Sequence, residues 1–357
     1  MKTGACRLLL GLLLPGLAAQ TLTLDPVAVT ASRAAQPVAE VPFGVSVLAG
    51  SQLRTAPTTT LDGALRSVPG FSLFRRSDSL TANPTAQGVS LRGLGPSGAS
   101  RSLVLLDGVP LNDPFGGWVT WSKVPRESLT GAEVLRGGGA TAWGNAALGG
   151  VVQLLTGPVG PPAAGQRQSH MTGGKLAAAY GDFATRSAEL THDQTAGTGA
   201  LQFAGRIFAT DGFVLVAPED RGPVDLAAWS RHRWLSARWI QAVGDRTKLT
   251  VMGRTFAEER GNGTAYQRNS SGENFGSVAL EVAPAGGFGW TALAYGQDQS
   301  FSSKFSSVNA SRTAETPASD QFAVPATALG AAWTGTWTHP GDARTSAGGD
   351  LRRVRGE

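Results

Sequence analysis

The residues of this 357-residue chain whose types and spacing could do chemistry are its glycine clusters and a handful of carboxylates. Gly93-Leu94-Gly95-Pro96-Ser97-Gly98 fits the G-x-G-x-x-G pattern, which leads a strand into a helix whose N-terminal N–H groups cradle a pyrophosphate. The next residues, Ser100 to Leu106, are a β-rich run ending in the turn Asp107-Gly108, so the required helix is missing and the cofactor reading is rejected. These glycines read as a turn between two strands. Gly137-Gly138-Gly139 lacks the Gly-Lys-Ser/Thr ending of a phosphate loop. Asp78, Asp107, Asp113 and Glu133 could be assembled into an acid/base site, yet no nucleophile elbow, His-Glu-x-x-His helix or carboxylate pair with a nearby His accompanies them. Isolated carboxylates of this kind read as hydrogen-bonded turn formers. His170, His192, His232 and His339 are far apart, and the single cysteine, Cys6, lies in an N-terminal segment that reads as removable. Neither a metal nor a cofactor is expected, and enzymatic chemistry has no positive support.

The elements around these residues are short strands and turns. Charged residues make up 16% of the chain, against roughly 25% in an average soluble domain, and 48 glycines favour turn-rich β-structure. The net charge of +5 comes from basic residues spread without a Lys/Arg block, which excludes the clustered footprint of a nucleic-acid groove. Lys2 and Arg7 precede the apolar run Leu8 to Leu17, which ends in Ala18-Ala19-Gln20. Residues 1–19 therefore read as a secretory signal, too short for a membrane-spanning helix of around 20 residues.

Beyond the signal, residues 20–36 read as an extended segment in which Pro26 forbids helix. Residues 37–157 hold predicted strands over Pro42 to Leu48, Val89 to Arg92, Ser102 to Leu106, Glu133 to Arg136 and Val151 to Leu155. Thr60 to Val68 reads as a helix, with Leu61, Ala64, Leu65 and Val68 at helical spacing before Pro69-Gly70. Residues 158–169 read as a linker that opens Pro158-Val159-Gly160-Pro161-Pro162. From 170 to 357 the chain alternates apolar with polar or small residues, as in Leu201, Phe203, Gly205 and Ile207, or Trp333, Gly335 and Trp337. Strands of about ten residues patterned this way suit a membrane β-barrel, although a soluble β-sandwich or propeller alternates too.

Several motifs occur in order between Gln87 and Thr156: Val89-Ser90-Leu91-Arg92-Gly93, Val104-Leu105-Leu106-Asp107-Gly108-Val109-Pro110, Ala132-Glu133-Val134-Leu135-Arg136-Gly137, and Ala140 to Gly150 continuing into Val151-Val152-Gln153. In these the chain resembles the plug domain of TonB-dependent outer-membrane receptors, with Trp143 and Gln153 standing where the family usually has Tyr and Asn. Asp25, Pro26, Val27, Ala28, Val29, Thr30 and Ala31 resemble the region of the TonB box. Such an extended segment can add as a strand to a partner's sheet edge.

The resemblance implies a mixed α+β plug domain followed by antiparallel transmembrane β-barrel strands, with 22 strands in a complete barrel. Roughly eight to ten of them fit between residues 170 and 357. It implies a small-molecule cargo, most often a ferric siderophore or cobalamin, and a partner, TonB, that remodels the plug using its inner-membrane energising complex. Arg92 and Arg136 match the family's plug arginines that pair with barrel-wall glutamates, and Gly93, Asp107, Gly108, Gly137, Gly144, Gly149 and Gly150 form the motif turns. Pro96, Ser97, Phe115 and Trp118 are the candidates to face the ligand. The closing residues Arg352 to Glu357 lack the apolar strand and terminal aromatic of family barrels, so an incomplete copy is expected. A signalling module that keeps the plug without transport, and a secreted β-rich enzyme or adhesin, are the alternatives.

Overall fold

A computed structural model describes residues 27–28, 31–73, 75, 77–94, 100–157, 173–196 and 198–356. The signal at 1–19 and the linker at 158–169 lie outside the described residues. The first part of the chain contains β1 (Val27–Ala28), β2 (Gln36–Pro37), β3 (Gly44–Ala49), α1 (Gly50–Thr55), α2 (Leu61–Leu65), β4 (Phe71–Ser72), β5 (Ser90–Leu91), β6 (Ser102–Leu106), β7 (Val109–Pro110), β8 (Gly131–Arg136), α3 (Gly139–Trp143) and β9 (Gly150–Leu155). Five of these strands form one sheet in the order β3-β8-β9-β6-β7, antiparallel except for the parallel pair β6–β9.

The three central strands are near-continuous apolar runs because both faces of the sheet are covered. One face packs Val104, Leu106, Val134, Val152 and Leu154 against Leu53 of α1, Leu61 and Leu65 of α2, and Trp121. The other packs Leu103, Leu105, Leu135 and Val151 against Ala28, Val41 and Ala147. Helix α2 starts where the Thr60 hydroxyl accepts the Gly63 N–H at 3.2 Å, a side-chain N-cap. The predicted Thr60 to Val68 helix is thus found over a shorter span, and α1 and α3 were not foreseen.

The second part is a nine-stranded antiparallel meander: β10 (Gly173–Gly181), β11 (Thr185–Ala196), β12 (Gly199–Val214), β13 (Ala227–Val243), β14 (Thr247–Gly261), β15 (Arg268–Ala285), β16 (Phe288–Val308), β17 (Glu315–Thr338) and β18 (Arg344–Gly356). Each strand pairs with its neighbours in sequence, so among the described residues β10 and β18 have one partner each and the sheet is open. Nine strands fall inside the expected eight to ten.

The sheet is two-faced. Along β13, Ser230, His232, Trp234, Ser236, Arg238 and Ile240 are buried while the residues between them are exposed. The exposed face carries Leu176, Leu201, Ile207, Leu235, Trp239, Val251, Val278, Leu329 and Trp333, each 36–75% exposed. A row of large apolar side chains on that scale has no solvation rationale in water and matches the outward apolar band of a membrane barrel. The inward face holds the plug: residues of β10, β13, β14, β15, β16 and β18 all contact it, so the sheet curls around the first part of the chain.

The two ends of the wall differ. At one end the connections are the short stretches 244–246 and 286–287 and the turn at 339–343; at the other they include 215–226, 262–267 and 309–314. Short turns face the periplasm and longer loops the exterior in outer-membrane barrels. The N-terminal segment lies at the short-turn end, where Arg344 donates to the Ala35 carbonyl at 2.8 Å.

Ala237 stands on the exposed face of β13 between Leu235 and Trp239. Ala237→Arg should cost about 2–4 kcal/mol of folding free energy in a bilayer, as an arginine facing midplane lipid does. Urea titration of the protein refolded into vesicles measures this, and an unchanged midpoint would place that face in water.

Candidate functional site: the plug–wall interface

Charged residues meet where the plug touches the wall. Lys123, in the short 3-10 turn Trp121–Lys123, donates to Glu273 of β15 at 3.0 Å, and the two side chains are 2% and 1% exposed. Arg254 of β14 donates to the other oxygen of Glu273 at 2.8 Å, Gln299 of β16 adds a third bond at 2.9 Å, and the Arg254 guanidinium lies over the Phe275 ring at 3.8 Å. Breaking one partner out of such a buried set leaves uncompensated charge.

One turn nearer the long-loop end, Ser122 donates to Glu258 at 2.7 Å, and Glu258 also accepts from Arg260. Arg260, 1% exposed, donates across the interface to the backbone carbonyls of Ser79 and Ala82 at 2.8 and 2.7 Å. Gln87 donates to the same two carbonyls from within the plug. Asp62 of α2 completes the support, accepting from the Ser79 N–H at 3.0 Å and pairing with Arg75. The plug loop 77–87 is therefore fixed from below by Asp62 and Gln87 and from the side by a wall arginine. Burial pushes the Asp78 carboxyl in this loop above the usual carboxylate range, with the Leu80 N–H bond opposing the shift.

Towards the short-turn end, Asp107 of the predicted motif turn accepts from the Thr156 N–H at 2.9 Å and pairs with Arg238 of β13. Val109 packs with Met252 and Phe275, beside Leu293 and Tyr295. Asp78, Asp107 and Asp113 are thus turn formers, as expected of isolated carboxylates; Asp113 accepts from the N–H groups of Phe115 and Gly116. Glu133 differs, being buried within β8.

The motif glycines sit where the backbone requires them. Gly93, Gly108, Gly137 and Gly144 have φ of 73°, 83°, 75° and 74°. Gly150 has φ 134°, and a Cβ there would lie 2.1 Å from the Leu135 carbonyl oxygen, so only glycine permits the start of β9. At Gly149 a Cβ would press on the Ser102 hydroxyl at 2.8 Å.

Arg92 and Arg136 form no ion pair with a described carboxylate. Arg136 donates to the Pro69 carbonyl at 3.4 Å, and the Arg92 guanidinium lies over Gly137. Plug–wall contacts of the described residues include those of Lys123, Ser122, Asp107 and the loop 77–87, which the family motifs did not single out as wall contacts. A signal for them was present: Arg254, Glu258 and Arg260 share one face of a strand whose other face carries Val251, Gly253 and Thr255.

Of the ligand-facing candidates, Pro96 and Ser97 lie outside the described residues. Phe115 is 56% exposed, with one edge against the backbone of Gly356 in β18. Trp118 folds over Gly116 and packs at a tilt of 54° against Phe301 of β16, 5.1 Å between centroids, so it packs more than it projects. Asp25, Pro26, Val29 and Thr30 also lie outside the described residues, whereas Ala28 is fully buried in the two-pair ladder β1–β2 and Ala31 packs beside it.

At the long-loop end, Arg312 in the 309–314 connection grips Asp225 in the 215–226 connection through two hydrogen bonds, one of them 2.7 Å. These bonds, with the Gly222 N–H, hold the Asp225 carboxyl down at about 2.

A profile of the TonB-dependent Receptor Plug Domain matches residues 37–151. The vitamin B12 transporter BtuB of Vibrio vulnificus is 27% identical over 275 residues, which are 75% of this chain and 41% of that protein. The ferrienterobactin receptor of Escherichia coli is 33% identical over 126 residues, covering 32% of this chain and 16% of its own length. Among solved structures, the siderophore receptor PirA of Acinetobacter baumannii superposes with a TM-score of 0.66 at 16% identity, over 87% of this chain and 48% of its own. The ferric-catecholate import receptor Fiu of E. coli gives 0.68 at 15% identity, over 89% and 50%. The chain spans about half the length of these structures.

Glu273→Leu should destabilise the protein by about 3–5 kcal/mol by leaving Lys123 and Arg254 buried without a carboxylate. Adding Lys123→Met should recover part of that loss, and a double-mutant cycle by urea unfolding reads the coupling; strictly additive effects would dismiss the pair. The Asp225–Arg312 clasp involves a depressed carboxyl, so its contribution is complete above the ordinary value of 3.8 and lost only as pH falls through about 2. The amide protection factors of the two loops, taken relative to the intrinsic exchange rate at each pH, should stay unchanged between pH 7 and 5 and fall in Asp225→Asn at both.

Proposed function

Because this chain belongs to the TonB-dependent outer-membrane receptors, we propose that it serves the energised uptake of a scarce ligand, a ferric siderophore or cobalamin. The carrying observation is a plug sheet seated on the polar face of an antiparallel wall whose opposite face is apolar. A small ligand enters from the long-loop end and meets the plug there, with Phe115 as an aromatic contact; Pro96 and Ser97 are further contacts under this reading. No catalytic step is assigned: the buried wall carboxylates Glu258 and Glu273 are engaged in plug–wall bonds.

TonB engages the segment Asp25 to Ala31 from the short-turn side. Strand addition there requires Ala28 to leave its buried position, which couples engagement to disturbance of the cluster around Val41, Leu103 and Leu135. Arg92 and Arg136 act with wall carboxylates outside the described residues, holding the plug on the side these nine strands do not cover.

The test is uptake in cells deleted for the endogenous receptors and supplied with the complete protein. Labelled ferric catecholate siderophore or labelled cobalamin should accumulate, and a protonophore should abolish accumulation. No uptake of either cargo would remove this reading. Removing both charges, Arg92→Gln with Arg136→Gln, should raise sensitivity to large antibiotics several-fold; unchanged sensitivity would leave the two arginines with a purely local role.

A further inference from the structure

His232 is a titratable side chain, 3% exposed, that none of the plug–wall bonds described above employs. It stands on the inner face of β13, directly across the ladder from Phe208 of β12 and from Glu258 of β14. Its ring stacks on Phe208 at 4.6 Å between centroids, with Phe256 at 6.3 Å. Among the described residues neither ring nitrogen has a hydrogen-bond partner, and neither does Glu258 Oε2. His232 Nδ1 lies 3.8 Å from Glu258 Oε1, just beyond bonding reach.

That same Oε1 joins two ties to the plug. It accepts from Ser122 and from Arg260, and Arg260 in turn holds the Ser79 and Ala82 carbonyls. The charged groups facing the imidazole are Arg206 from β12, whose guanidinium lies 5.3 Å from the Phe208 ring, and Glu258 and Arg260 from β14. The plug contributes the uncharged Ser122. Arg206 already pairs with Glu189 of β11, and Arg260 with Glu258, so cations and carboxylates balance. A proton on His232 adds a buried cation with no counter-ion of its own. The imidazolium then competes with Ser122 and Arg260 for Glu258.

We propose that His232 is an acid-operated release for the plug loop 77–87, which the wall holds while the ring is neutral and frees when the ring takes up a proton. An imidazole in water titrates near pH 6.5. A ring uncharged when docked and protonated when parted links parting to proton uptake. The tie is therefore at full strength above about pH 6.5 and weakens as pH falls below that value. Relative to the docked state, the parted state gains about 30-fold between pH 7.5 and pH 5. The Lys123–Glu273 tie contains no imidazole and persists through this range. The release acts at the opposite end of the interface from the N-terminal segment, and it holds whichever ligand is carried.

The experiment is amide hydrogen exchange of the complete protein in detergent between pH 7.5 and pH 5, with protection factors taken relative to the intrinsic rate at each pH. The N–H groups of Ala82, Ala86 and Gln87, bonded to carbonyls inside the loop, report its state. Their protection should fall about 30-fold in the parent, while the β13–β14 ladder and plug strands β6 and β9 keep theirs. His232→Phe, which keeps the aromatic stack, and His232→Gln, which keeps a polar side chain, should each make loop protection independent of pH. Asp78→Asn removes the loop's own carboxyl and should retain the fall. Constant protection in the parent overturns the release, and so does a fall in both His232 variants equal to the parent's. Loss of the fall in Asp78→Asn overturns it in favour of that carboxyl. Loss of protection throughout the β13–β14 ladder at pH 5 overturns it in favour of general acid unfolding.

Discussion

Glu273 is a carboxylate with 1% exposure on a wall strand, and the arrangement around it constrains much of the rest. A charge in that position is tolerable only with close cations and filled lone pairs. Arg254 and Gln299 come from the flanking strands, so the wall's own register supplies two of the partners. The third, Lys123, comes from the plug. The wall therefore presents an inner face that is incomplete without the domain it encloses. The Arg260 bonds to Ser79 and Ala82 repeat the logic with backbone carbonyls instead of a charge.

The opposite solvents on the two faces explain why one strand pattern serves throughout. Lipid cannot hydrogen-bond backbone groups, so the strands must satisfy one another edge to edge. With the backbone settled by the ladder, alternate side chains are free to face lipid on one side and a wet, charged interior on the other. This is why Arg238 and Trp239, adjacent in sequence, have such different surroundings: one pairs with plug Asp107, the other stands 45% exposed on the apolar face.

Much of the fold was readable because it rests on local chemistry. Asp107-Gly108 must turn, Gly93 and Gly137 require positive φ, and Trp333-x-Gly335-x-Trp337 must alternate across a strand. The Thr60 cap and the Pro69-Gly70 stop framed α2, although the helix occupies only the first part of that frame. Helix α1 escaped notice because its six residues bury only Gly50 and Leu53, too few for periodicity to register. The interface escaped for a different reason. Lys123 and Glu273 are 150 residues apart, and which wall residue lies opposite a plug turn depends on the summed register of several strands. Single-residue patterns carry no record of that sum. Phe115 and Trp118 were alike in sequence as loop aromatics, yet the partner Phe301 on a distant strand makes one of them a packing residue.

Strand β3 lies at the edge of the plug sheet, joined on one side only, to β8 through six residue pairs from Gly44–Arg136 to Ala49–Gly131. It is also the first sheet strand reached by tension entering from the N-terminal side. Traction there first strips the two-pair β1–β2 ladder and the exposed Arg33–Asp350 contact, and then peels β3 away from one neighbour. Tearing a central strand would require breaking two ladders at once. The sheet order thus gives the plug a graded mechanical fuse, in which an outer layer yields while β8, β9 and β6 keep their mutual bonding.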